Sequence, residues 1–123
     1  MPLTIRNFQT VNDARLRLLH ALTGELNWGP KEWALAVLGE LGEFANLLKK
    51  CERGDFPLEE KLPELRAECA DIITYASLLM SSLGGLLDRE LIAKFNLVSQ
   101  RYAEKAREAG HAELAAELIH RQL

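Results

Sequence analysis

The chain has 123 residues, 48% of them hydrophobic and 27% charged, with a formal net charge of −3 at neutral pH. That length suits a single domain over residues 1–123 with one modest core, and the balance excludes an intrinsically disordered chain. The basic residues are spread rather than clustered, which excludes long-range attraction to nucleic acid or to an anionic membrane.

The two cysteines, Cys51 and Cys69, form no Cys-x-x-Cys pair, so a structural zinc site lacks ligands of the usual spacing. Reduced thiols in a cytoplasmic protein are the expectation. Met1 to His20 carries charges throughout and lacks the apolar core of a signal peptide. No uninterrupted apolar run approaches membrane-spanning length. Neither nucleic acid nor membrane is therefore an expected partner.

Thr10 and Asp13 have the spacing of a capping box, which predicts a first helix over about 11–23. Pro30 suits the first position of a second helix that ends near Glu52. Arg53 to Leu62 reads as the longest loop. Pro63 then predicts the start of a third helix that stops at Gly84. A fourth runs from about Asp88 to Ala109, Gly110 breaks it, and a short amphipathic tail, His111 to Leu123, follows. No segment alternates with the period of a strand. The expected fold is all-α, a four-helix bundle with a short C-terminal helix. The second and third helices are apolar over wide arcs, which favours burial on more than one side and hence an oligomer.

The chemistry is carried by carboxylates. Glu40 and Glu43 are three apart and share one helical face. Their stripe also holds Trp33, Ala36, Val37, Phe44 and Leu47, so these acids sit within the apolar arc. The third helix repeats the arrangement: Glu68 and Asp71 share a stripe with Leu65, Ile72, Tyr75 and Leu79, and Glu64 is one turn earlier. Withdrawing an unpaired carboxylate from water is costly, so such groups shift their pKa, pair or bind metal. Basic residues are scarce on these stripes. All-oxygen ligands favour magnesium, manganese or calcium, with magnesium usual beside phosphates. Two nearby ions can clamp a phosphoryl group and activate a water. A di-iron site calls for Glu-x-x-His pairs, and His20, His111 and His120 have no such spacing.

On the fourth helix Lys94 shares the apolar side with Leu87, Leu91, Val98 and Tyr102, and Arg101 lies two turns further on. Either cation is a candidate phosphate contact. Trp28 and Trp33 flank the start of the second helix, where they can pack the core or stack on a nucleobase.

Glu32-Trp33-Ala34-Leu35-Ala36-Val37-Leu38-Gly39-Glu40-Leu41-Gly42-Glu43 resembles the first signature of the MazG-like, all-α nucleoside triphosphate pyrophosphohydrolases. Glu68 to Tyr75, including Asp71 and Ile72-Ile73, is similar to the second. Lys94 to Arg101 is similar to the signature of the family's fourth helix. The resemblance covers roughly residues 25–102. It implies magnesium, with manganese as a substitute, held by Glu40, Glu43, Glu68 and Asp71. It implies water attack on the α-phosphorus of a nucleoside or deoxynucleoside triphosphate, releasing a monophosphate and pyrophosphate. Lys94 matches a phosphate-contacting lysine and Tyr75 a wall of the nucleotide pocket. The implied assembly is a homodimer or homotetramer. Many members carry a glutamate where this chain has Gly39, which leaves Glu40 or Glu43 to activate the water. Many also carry an asparagine where this chain has Val98. Phosphoribosyl-ATP pyrophosphohydrolases resemble the same superfamily, and a non-catalytic helical adaptor is the alternative of another class.

Overall fold

The computed structural model describes residues 2–24 and 28–123. The chain is all-α: α1 (Ile5–Thr23), α2 (Pro30–Glu52), α3 (Leu58–Ser82), α4 (Leu87–Glu108) and a short α5 (Ala112–His120). They fall into two compact units, Met1–Gly85 and Leu86–Leu123. Among the described residues no single helix is long and apolar enough to cross a membrane.

In the first unit α1 and α2 both pack on α3. The first helix starts six residues earlier than Thr10 and Asp13 suggested. Thr4 is its N-cap: the Asn7 N–H donates to Thr4 Oγ1 at 3.1 Å, and the Thr4 N–H donates to Asn7 Oδ1 at 2.7 Å. The Thr10 hydroxyl instead donates to the Arg6 carbonyl within the helix, and Asp13 is taken up by α3. Ser81 donates to Asp13 Oδ2 at 2.9 Å, while Gln9, only 4% exposed, donates to Ser81 Oγ and to the Gly85 carbonyl. One turn along, Asn12 (3% exposed) donates to the Thr74 carbonyl at 3.0 Å. These polar clips fix α1 against α3, each contributing about 1 kcal/mol net. Moving along α1 from Gln9 to Asn12 moves from Ser81 back to Thr74, so the two helices run in opposite directions.

The α2 helix begins at Pro30 and ends at Glu52, as its proline and periodicity predict. It closes through Gly54, whose φ of 91° favours glycine because a side chain there would crowd its own backbone. The Asp55 N–H then reaches back to the Lys50 carbonyl, and that of Gly54 to Cys51, which satisfies the last carbonyls of the helix. The connection is short, because α3 starts at Leu58 rather than at Pro63. Pro57 caps it, and Glu59 and Glu60 in its first turn complement the positive end of the helix dipole. Pro63 lies inside the helix and removes only the N–H that would bond the Glu59 carbonyl, in a residue open to water.

The second unit is a helical hairpin of α4 and α5. Ala103, Ala106 and Ala115 are buried at its centre, with Leu118 and Ile119 packed against them. Small side chains let the two backbones approach closely. The turn is set by Gly110 at φ 82°, with the His111 N–H donating to the Ala106 carbonyl at 2.7 Å. Asn96 clasps the tail: its Nδ2 donates to the Leu123 carbonyl at 3.0 Å, and the Leu123 N–H donates to its Oδ1 at 2.8 Å.

Candidate functional site

The inward stripe of α2 is the one its sequence marks. Trp33 is buried, and Ala36, Val37, Glu40, Phe44 and Leu47 are half-buried. Leu35, Leu38 and Leu41 face outward and are exposed. On α3, Leu65 is buried and Glu68, Ile72, Tyr75 and Leu79 are half-buried. Because α2 and α3 form an antiparallel hairpin, Trp33 meets Tyr75 near one end, and Glu40 meets Glu68 and Asp71 two turns on.

One carboxylate oxygen from each of Glu40, Glu68 and Asp71 lies within 4.8 Å of the other two. None of the three is in an ion pair among the described residues, whereas Glu64 pairs with Lys61 at 3.0 Å. Glu64 is thus engaged by Lys61 and stands outside the group. Glu68 Oε2 is sealed from solvent and has no hydrogen-bond partner. A buried carboxylate oxygen without a donor is unfavourable by several kcal/mol unless a cation or proton compensates it. Three converging hard oxygens suit a divalent cation such as magnesium or manganese.

Glu43, three residues after Glu40, is exposed and does not belong to the group of three. Its charge nevertheless reaches Glu40. Burial first, then the negative charges of Glu43, Asp71 and Glu68 and a side-chain hydrogen bond with Glu68, hold the Glu40 carboxyl above the usual glutamate range. The folded, metal-free chain therefore binds more protons than the unfolded chain between the ordinary and the raised pKa, and its stability falls as pH rises through that window. Urea midpoints of the metal-free protein should accordingly rise as pH is lowered from neutral towards the ordinary glutamate range. Glu40→Gln should flatten that rise, and an unchanged slope in the variant would contradict this origin.

Beside the acids lies a cavity of about 330 Å³. Trp28 and Trp33 form one wall, with ring centroids 4.7 Å apart at 65°, and Tyr75 stands 6.1 Å from Trp33. Asp71 and Thr74 of α3, and Asn12 and Arg15 of α1, supply the polar lining. Trp33 is oriented from the helix start. Glu32 Oε2 accepts the Gly29 N–H at 2.9 Å, and bonds from its own backbone N–H and from that of Gly29 hold its carboxyl below the usual range.

Sequence reasoning missed Asn12 and Arg15. Leu16 and Leu19 continue the same face into the cavity, so the signal available was their helical spacing from Asn12. Lys94 and Arg101 stand on α4 in the second unit, and both are exposed. Arg101 borders a shallow depression with Val98, Tyr102 and Lys105. No protein-family model, curated protein or solved structure matches this chain.

Proposed function

We propose that the chain is a magnesium-dependent nucleoside triphosphate pyrophosphohydrolase of MazG-like architecture, converting a nucleoside or deoxynucleoside triphosphate to its monophosphate and pyrophosphate. The observation that carries this reading is the juxtaposition on one hairpin of three carboxylates with no basic partner among the described residues, one with a buried oxygen that lacks a hydrogen bond, and an aromatic cavity bordered by Asp71. Glu40, Glu68 and Asp71 would hold the cation, which when bound supplies Lewis-acid charge stabilisation and a more acidic water. Trp28, Trp33 and Tyr75 would receive the base, since aromatic faces stack on any nucleobase. Glu43 and Lys94 join this set through the sequence resemblance alone, Glu43 as a further ligand or base and Lys94 as a phosphate contact.

The chain contains no Gly-x-x-x-x-Gly-Lys cradle, and its three histidines lie far in sequence from the acidic motifs. Direct water attack at the α-phosphorus is the chemistry proposed. Turnover in oxygen-18 water should place label in the nucleoside monophosphate alone, with unlabelled pyrophosphate beside it. Release of orthophosphate and a diphosphate, or label in the pyrophosphate, would overturn this mechanism. Absence of magnesium-dependent turnover with every common triphosphate would favour the adaptor instead.

A homo-oligomer belongs to the same proposal. Leu35, Leu38 and Leu41 on α2 and Ile73 on α3 are exposed large apolar side chains, Leu38 by 61%, that a second copy of the chain would cover. Light scattering at micromolar concentration should report a dimer or larger, shifted towards monomer by Leu38→Glu. A stable wild-type monomer would count against it.

A further inference from the structure

Arg15 is an exposed cation that forms no ion pair among the described residues, and it lines a cavity bordered by Asp71. Its one polar partner among the described residues is Asn12, whose Oδ1 accepts from Arg15 Nη2 at 2.9 Å. Asn12 is itself buried and clipped to the Thr74 carbonyl, so the guanidinium has one bond to a fixed amide. One bond to Asn12 uses one of five N–H donors and leaves one of the two double-donor edges of the guanidinium complete. Asp71 lines the same cavity yet forms no ion pair with Arg15, so the exposed guanidinium is open to a ligand that enters the cavity.

The level at which Arg15 stands decides what that ligand is. The step from Asn12 to Arg15 along α1 goes the same way as the step from Thr74 to Asp71 along α3, because the helices run in opposite directions. Asn12 and Thr74 therefore mark the aromatic end of the cavity, with Tyr75 and Leu78. Arg15 lies one turn towards the end where Asp71 joins Glu40 and Glu68. A ligand that set an apolar ring among the tryptophans would bring its anionic group to the end of the cavity shared by Arg15 and Asp71.

We propose that Arg15 is a phosphate-binding residue of this site, contributed by α1, with Asn12 as its positioning residue. The inference rests on the nucleotide reading above for the identity of the ring, but not for the phosphate. A planar guanidinium matches two oxygens of one phosphoryl group, a geometry that a lysine ammonium does not reproduce. The chain thus carries a phosphate contact within the unit that holds the acids, independent of Lys94.

The test is calorimetric titration of the full chain in magnesium with inorganic pyrophosphate, and separately with nucleosides that have no phosphate. Both tryptophans of the chain line the cavity, so their fluorescence reports ring binding directly. Arg15→Met should weaken pyrophosphate binding about tenfold or more, as loss of a charge-assisted bidentate pair implies. Nucleoside binding should be unchanged, and Arg15→Lys should recover only part of the loss. Pyrophosphate affinity within twofold of wild type in Arg15→Met would overturn the proposal, as would an equal loss of nucleoside binding, which would make Arg15 a reader of the base. Failure of the wild type to bind pyrophosphate would overturn it too. A wild type that ignores every nucleoside but binds pyrophosphate through Arg15 would sink the nucleotide reading and leave the phosphate assignment standing.

Discussion

Asp71→Ala and Glu68→Ala should each lower magnesium-dependent pyrophosphate release from a triphosphate by about a thousandfold. A bound cation supplies several kcal/mol of transition-state stabilisation, and each 1.4 kcal/mol is about tenfold in rate. Removing either acid leaves two of the three oxygens that converge within 4.8 Å. The fold should survive. The three carboxylates have no basic partner among the described residues, so deleting one relieves repulsion rather than stranding a charge. Metal-free variants should therefore match or exceed the wild type in urea midpoint. Glu43→Ala is expected to cost less than either, because Glu43 is exposed and outside the group of three. Near-normal activity of Asp71→Ala at saturating magnesium would remove the metal assignment.

Trp33→Ala should destabilise the folded chain by about 3–5 kcal/mol, the range for deleting a buried indole. Trp33 is 4% exposed and packs against both Trp28 and Tyr75. Its loss opens the wall between α2 and α3. Trp33→Phe should recover most of the stability. Trp28 is 42% exposed, so Trp28→Ala should cost little in stability. It should still weaken binding of a nucleoside, since stacking on an aromatic ring contributes about 1–3 kcal/mol per base. Urea denaturation and nucleoside titration of the three variants separate the two effects. Equal stability losses at Trp28 and Trp33 would show that both act only as packing.

The acid site was legible because its signals are local. Glu40 with Trp33, and Glu68 with Tyr75, are spaced so that any helix over those residues puts them on one face. Apolar companions then say which face turns inward. The α2 start at Pro30 was legible for the same reason. The start of α1 was not, because Thr4–Asn7 and Thr10–Asp13 have the same box spacing, and only Ser81, distant in sequence, takes Asp13. Pro63 misled in a related way: it fits a first helical position, but Pro57 followed by Glu59 and Glu60 provides an earlier start. Arg15 and Asn12 read as ordinary polar residues, since the partner that buries Asn12 is a backbone carbonyl on α3. Glu43 shows the converse. Helical spacing puts it on the face of Glu40, but spacing alone does not fix how far a side chain leans towards the neighbouring helix.

The site stands or falls on the cation. Manganese added to the metal-free protein can be followed by the paramagnetic resonance signal of the free ion. A site built from Glu40, Glu68 and Asp71 predicts saturable loss of that signal, its recovery on adding excess magnesium, and its persistence in Glu68→Gln. A free-ion signal undiminished by the wild-type protein, or one that Glu68→Gln and Asp71→Asn suppress as well as the wild type does, would contradict it.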